Sequence, residues 1–296
     1  MLCAQPWRPN GGSELPCGQC MPCRINKRNI WTTRILLELT CHESNSWITL
    51  TYNDDNIPYR NELDKTDYQL WLKRLRKAHA TQKIRYYLCG EYGDDRGRPH
   101  YHVVLFGLGF NYTGTAATHD RHGRSNLDKP NFFPERIKQM LLIWGKGNIH
   151  FEKPNPKLVS YSCSHLTKGL AGEENEDGRK QAFHAMSNGL GKNAMSAIES
   201  WLSTEEGVKE YEKAGDVPAV VRIDGKIRPI GKYLRNIIRR NLYLPEKQTD
   251  VAIAKRSIER HQKLLDDPMV IEHQREKDRL KAQQLYKQSK QRRHLR

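Results

Sequence analysis

His100 and His102 stand two residues apart in Arg98-Pro99-His100-Tyr101-His102-Val103-Val104-Leu105-Phe106, a stretch rich in strand-forming residues. Side chains alternate along a strand, so both imidazoles project from one face. Neutral imidazole is the commonest metal ligand, and two on one face can share an ion. Residues 84–91 read as the preceding strand, ending at Glu91. In simple hairpin register Glu91 lies opposite His100, and directly opposed residues share a face. One carboxylate and two imidazoles would leave positions on a divalent ion open to water and a phosphate oxygen. The set suits Mn²⁺ or Mg²⁺, with imidazole moving the preference toward Mn²⁺ or Zn²⁺. The alternative is a pair of ordinary polar sheet residues.

Tyr161 is the second chemical element. If residues 156–168 are helical, Tyr161, His165 and Lys168 share one stripe, beside a core-facing stripe of Leu158, Val159, Ser162, Cys163 and Leu166. A phenol of ordinary pKa, about 10, is a poor nucleophile at neutral pH without help. A metal ion would polarise a phosphate and orient it for in-line attack. Lys168 could neutralise developing phosphoryl charge. The competing reading is amphipathic packing of a helical Tyr.

Cys17, Cys20 and Cys23 have C-x₂-C-x₂-C spacing, and Cys3 could supply a fourth thiolate. Four thiolates suit structural Zn²⁺ or an iron–sulfur cluster; the alternative is free thiols in a loop. Such a knot would position the basic helix that follows, with Arg24, Lys27 and Arg28 as phosphate contacts. Cys41, Cys89 and Cys163 read as small core residues. His119 and His122 lie in a polar loop with nothing to position them, and His150 reads as an ordinary sheet residue.

Fifty Lys and Arg against 34 Asp and Glu give the 296-residue chain a formal charge of +16. That excess favours a polyanionic partner, nucleic acid or an acidic membrane surface. No long apolar run is present to span a bilayer. Pro6, Pro9 and Gly11 stand where a signal peptide would need its apolar core, which predicts an intracellular address. In a reducing compartment, metal binding or packing outranks a disulfide framework.

Periodicity predicts helices over 24–40, 66–78 (capped by Thr66), 135–144 and 156–169, and strands over 46–52, 84–91, 100–106 and 148–152, with a long loop over 107–133. The middle six elements follow the split β-α-β-β-α-β arrangement: an α+β, ferredoxin-like antiparallel sheet with helices on one face. Residues 183–201 look partly helical and 217–223 strand-like. From 245 the chain is charged and helix-prone, interrupted at Pro268, and carries no acid from Lys281 onward. The expected division is a Cys-rich segment (1–23), a core domain (24–170), an accessory region (171–244) and a basic helical tail (245–296).

Trp47-Ile48-Thr49-Leu50-Thr51-Tyr52, Gly90-Glu91-Tyr92-Gly93, Arg98-Pro99-His100-Tyr101-His102-Val103-Val104-Leu105-Phe106-Gly107 and Tyr161-x₆-Lys168 follow the order of an HUH endonuclease. The chain resembles the replication initiators of gokushoviruses, small single-stranded DNA phages of the Microviridae. The opening Pro16-Cys17-Gly18-Gln19-Cys20-x-x-Cys23-Arg24 and the run from Asp67 to Arg76 share that likeness, which covers most of residues 16–170.

The resemblance implies that His100 and His102 hold the metal and that Tyr161 cleaves the strand. Such an enzyme keeps the 5′ phosphate as phosphotyrosine, frees a 3′-OH for rolling-circle synthesis, and rejoins the ends without ATP. It implies single-stranded and replicative-form origin DNA as substrates, in the cytoplasm of a bacterial host. No Walker-type phosphate loop is present, so a host helicase and DNA polymerase are the expected partners. Thr49 and Thr51 would contact DNA or frame the site; cross-strand pairing is the plainer reading. Relatives often carry two tyrosines four residues apart, where this chain has His165 second. Termination would then use Tyr161 of a second subunit, or Tyr161 again. The rival readings are a transposase or relaxase using the same chemistry, and a non-catalytic nucleic-acid-binding protein.

Overall fold

The computed structural model describes residues 1–9, 14–93, 97–120, 122–164, 178–245 and 268–294. The chain forms two compact units: Leu39–Gly189, and a discontinuous unit of Met1–Glu38 with Leu190–Arg296. The linear division expected from the sequence differs at its first boundary. Helix α1 (Met21–Thr40) lies almost wholly with the C-terminal half, not with the sheet.

The Leu39–Gly189 unit is built on a six-stranded antiparallel sheet. Its strands are β1 (Asn45–Tyr52), β2 (Arg85–Tyr92), β3 (Pro99–Phe106), β4 (Gly114–Ala116), β5 (Gly147–Glu152) and β6 (Phe183–Met186), ordered β4-β5-β1-β3-β2-β6. The inner four, β5-β1-β3-β2, reproduce the split β-α-β-β-α-β order, and the class is α+β as expected. Two short edge strands were not foreseen. β4 interrupts the loop expected over 107–133, and Phe183–Met186, expected to be part of a helical stretch, is β6. Four residues are too few for period 2 to stand out from period 3.6; pairing with β2 decides the outcome.

Both crossover helices pack on one face. α2 (Lys65–Ala78) buries Tyr68, Trp71, Leu72 and Leu75, and α3 (Glu135–Trp144) buries Ile137, Met140, Leu141, Ile143 and Trp144. They meet Ile48, Leu50 and Tyr52 of β1, Tyr101, Val103 and Leu105 of β3, and Ile149 and Phe151 of β5. Each large apolar side chain so buried contributes roughly 1.5–3 kcal/mol. The cap of α2 is Asp64, not Thr66: its carboxylate accepts the Thr66 amide hydrogen at 2.8 Å. Gly147 opens β5 at φ +146°, where a Cβ would lie 2.3 Å from the Thr51 carbonyl oxygen.

Tyr101 sets the phase of β3, because it stands between the two histidines and points the other way. It is fully buried in the helix-covered core. Its hydroxyl donates to the Asp64 carbonyl at 2.7 Å and lies 2.8 Å from that of Tyr52, which in turn donates to the Asp67 carboxylate at 2.7 Å. A one-residue slip of β3 would tear this network out of the core, so the register is pinned. His100 and His102 must then face the opposite side.

The second unit contains α1, α5 (Met195–Leu202), α6 (Glu205–Ala214), the hairpin β7 (Val220–Ile223) and β8 (Lys226–Pro229), α7 (Gly231–Asn241) and α8 (Pro268–His294). Its core includes Leu37, Met195, Leu202, Val217, Ile230, Leu234, Ile237 and Ile238. Buried Asp216 accepts two hydrogen bonds from Arg239 Nη2, at 2.6 and 2.8 Å, and also pairs with Arg235. Cys41 is exposed, against the expectation of a core position: it follows the last turn of α1, beyond the packed stretch. Cys89 and Cys163 are buried as expected. Among the described residues no helix is long and apolar enough to cross a membrane.

Candidate metal centre

The hairpin register pairs Glu91 with His100. His100 Nε2 lies 3.2 Å and His102 Nε2 2.8 Å from the same carboxylate oxygen, Glu91 Oε1. Ligand atoms of the three residues all fall within 4.8 Å of one another. The other ring nitrogens are held from behind. His100 Nδ1 sits 3.1 Å from the Arg98 carbonyl oxygen, and His102 Nδ1 2.9 Å from Thr49 Oγ1. A carbonyl only accepts, so His100 Nδ1 carries the proton and neutral His100 presents its Nε2 lone pair to Glu91. Thr49 favours the same tautomer in His102 when its hydroxyl oxygen accepts. Partners of this kind orient metal-binding imidazoles. One carboxylate oxygen and two imidazole nitrogens fit a divalent ion while leaving positions open to other ligands.

The side chains of Glu91 and His102 are 5% and 7% exposed, whereas His100 is 15% exposed. The centre is therefore mostly dry, with His100 on its more open side. Trp47 stacks on the His102 ring at 5.1 Å between centroids, 20° from parallel.

Helix α4 (Pro156–Ser164) covers this face, opposite to α2 and α3. Asn155 caps it: its side-chain oxygen accepts from the Lys157 and Leu158 amides, each at 3.0 Å, and Pro156 follows where no amide hydrogen is needed. Leu158, Val159, Ser162 and Cys163 are buried. The indole Nε1 of Trp47 donates to Ser162 Oγ at 2.9 Å, tying the helix to β1. These contacts bring Tyr161 edge-on to His102, with ring centroids 5.2 Å apart and planes at 76°.

The structure thus gathers Glu91, His100, His102, Thr49 and Tyr161. Thr51 follows on the same strand face, opposite His100. Lys168 and His165 lie outside the described residues. Arg24, Lys27 and Arg28 belong to α1, in the other unit; Lys27 is exposed and the two arginines half-buried. Trp47 and Ser162 were missed as positioning residues. Trp47 shares Thr49's strand face, which was the available signal; Ser162 had none, because its partner is 115 positions away. His150 pairs with Thr49 across β1 and hydrogen-bonds Thr115 at 2.9 Å. His119 and His122 flank a turn instead of forming a cluster. The Asp120 carboxylate accepts from the Arg124 and His122 amides at 3.0 and 2.9 Å; with Lys129, these bonds lower its pKa to about 2.

The sulfurs of Cys3, Cys17, Cys20 and Cys23 also converge within 4.8 Å. Burial alone would raise the Cys17 thiol, but hydrogen bonds from the Cys20 and Gln19 amides and from the Cys3 and Cys20 thiols outweigh it and bring it to about 6. Burial pushes the Cys23 and Cys3 thiols up.

Comparison with known proteins gives the fold and this geometry a family context. Over 239 residues, 78% of this chain and 69% of the relative, the chain is 28% identical to the replication-associated protein VP4 of Bdellovibrio phage phiMH2K. It is 36% identical over 96 residues to the replication-associated protein ORF4 of Chlamydia phage 1, spanning 24% of that relative. It is 34% identical over 104 residues to the replication-associated protein ORF2 of Spiroplasma virus 4, spanning 32% of it. No solved structure matches the chain significantly. Residues 45–170, which hold Glu91, both histidines and Tyr161, match the model of the replication-associated protein ORF2 family. The likeness to microvirus replication initiators is thus borne out, and over this segment the chain belongs to the replication-associated protein ORF2 family.

Proposed function

We propose that this protein is a metal-dependent DNA nickase that initiates rolling-circle replication of a phage genome through a 5′-phosphotyrosine at Tyr161. The observation that carries the reading is the Tyr161 ring packed edge-on against His102, within the centre formed by Glu91, His100 and His102. The three side chains would hold Mn²⁺ or Mg²⁺, which when bound polarises the scissile phosphate.

In the proposed reaction the Tyr161 phenol loses its proton and its oxygen attacks phosphorus. The new O–P bond forms as the bond to the 3′ oxygen breaks. The electron pair stays on that oxygen, which takes up a proton to become the priming 3′-OH. The phosphotyrosine keeps the bond energy, so attack by a 3′-OH reverses the step and rejoins a strand without ATP. Lys168 is assigned, from sequence spacing alone, to neutralise phosphoryl charge. Thr49 acts here as a positioning residue, fixing the His102 ring. Thr51, Arg24, Lys27 and Arg28 are assigned to DNA contact. The +16 charge supports a nucleic-acid substrate. Strand separation is left to a host helicase and synthesis to a host polymerase.

The decisive experiment incubates purified protein, a labelled single-stranded origin oligonucleotide and Mn²⁺. A covalent adduct is expected, and Tyr161→Phe abolishes it. Adduct persisting in that variant refutes the role of Tyr161; binding without any adduct favours a non-catalytic protein.

A further inference from the structure

The nuclease reading does not use the N-terminal cysteines, which lie in the other unit. Cys3 comes from the first few residues of the chain, Cys17 and Cys20 from the approach to α1, and Cys23 from the first turn of α1. Cys3 Sγ and Cys20 Sγ are 3.7 Å apart. A disulfide holds its sulfurs at about 2.05 Å, so this is no disulfide. Zinc–sulfur bonds of about 2.3 Å in a tetrahedron set sulfurs about 3.8 Å apart, in agreement with the observed spacing. A cubane iron–sulfur cluster distributes its thiolates over separate irons, which a group this tight does not accommodate. The backbone is also arranged for thiolates. The Cys17 amide donates to Cys3 Sγ and the Cys20 amide to Cys17 Sγ, each at 3.3 Å. Amide hydrogens aimed at sulfur stabilise the charged form that a metal requires.

The segment held by this knot also seats the long C-terminal helix. The less exposed residues of α8 are Ile271, Arg275, Asp278, Ala282 and Leu285, together with Tyr286. The first five recur at alternating steps of four and three, one stripe of a helix. Its middle is charged, so apolar packing alone does not explain how it docks. Asp278 Oδ2 accepts the Leu2 amide hydrogen at 2.9 Å, and Arg275 pairs with Glu14. Both partners belong to the short segment that carries Cys3 and leads to Cys17. A backbone bridge between Trp7 and Leu15, at 2.9 and 2.8 Å, folds that segment back on itself.

We propose that Cys3, Cys17, Cys20 and Cys23 bind one structural zinc ion as a tetrathiolate, and that the ion clasps the N-terminal segment so that it can dock α8. Four protein ligands close the coordination sphere, so the site has no position for substrate. Without the ion, the Leu2 amide and Glu14 sit on a short, loosely held segment. The charged stripe of α8 then loses its fixed partners, and water competes for them.

The test uses full-length protein freed of loosely bound metal. Zinc-edge X-ray absorption should show a sulfur shell at about 2.3 Å. Cobalt(II) added to the reduced, metal-stripped protein should give the intense near-ultraviolet charge-transfer absorption of thiolate ligation, and Cys17→Ser with Cys20→Ser should remove it. Hydrogen exchange across residues 271–285 should slow by about tenfold or more when zinc is restored. Glu14→Gln with Asp278→Asn should keep the zinc and lose that slowing; this variant leaves every cysteine in place, so it separates docking from folding of the knot. A zinc shell of nitrogen and oxygen only, or iron in place of zinc, overturns the site. A sulfur-ligated zinc whose removal leaves exchange in α8 unchanged overturns the clasp.

Discussion

The Glu91–His100–His102 cluster and the cysteine cluster bring comparable numbers of ligand atoms within the same 4.8 Å, yet they are built for opposite ends. The first has three ligands of two chemistries on rigid paired strands, with His100 its most exposed member. The second has four like ligands, three of them close in sequence and the fourth reached by folding back the chain. Three ligands leave an ion open positions for reacting groups; four thiolates leave it none. The difference teaches that ligand count and the stiffness of the supporting backbone separate a reactive centre from a staple. Sheet register holds the histidines whether or not an ion is bound, whereas the proposed ion holds the N-terminal segment.

Exchanging variants between the clusters is the strongest way to break this comparison. His102→Ala is expected to abolish adduct formation in a single-turnover cleavage assay while leaving the cobalt–thiolate absorption intact. Loss of that absorption in His102→Ala would mean the clusters are not separable. Asp216→Ala probes the second unit without touching a cysteine. It leaves Arg239, whose side chain is 6% exposed, as a buried charge without its carboxylate. A loss of about 3–5 kcal/mol is expected in chemical denaturation, with exchange rising in α5 and α7.

Thr49→Val tests whether the open centre depends on support from behind. Loss of the hydroxyl facing His102 Nδ1 should weaken metal affinity or cleavage by about 10–100-fold, and Thr49→Ser should restore most of it. Equal cleavage by Thr49→Val and the parent would remove Thr49 from the site. The smallest effect is expected from Ser162→Ala, which strips Trp47 Nε1 of its buried acceptor. Thermal and chemical denaturation should report a loss of roughly 1–2 kcal/mol. Adduct formation should fall less than in Thr49→Val, because Trp47 still stacks on His102.

Much of the first unit was legible because its signals are local and periodic. Alternation in residues 99–106 puts both histidines on one face, and the apolar stripe of α2 marks its buried side. The expected hairpin register, Glu91 opposite His100, is the one formed. The edge strands were not legible. Gly114–Ala116 and Phe183–Met186 are short, and their pairing depends on strands already in place. Nor was the grouping of α1 with residues 190–296: Leu37 packs with Met195 and Leu234, and such contacts leave no periodic trace in sequence.

Residue types and their spacing determined which chemistries were available: two imidazoles in phase, a phenol on a capped helix, and a run of thiols. Tertiary structure alone decided which of these meet. Tyr161 reaches His102 because α4 crosses to the face left bare by α2 and α3, and Cys3 reaches Cys20 because the chain doubles back. Spacing along the chain carries phase but not distance. Long-range proximity is set by packing and strand pairing, which belong to the whole fold and to no single segment of it.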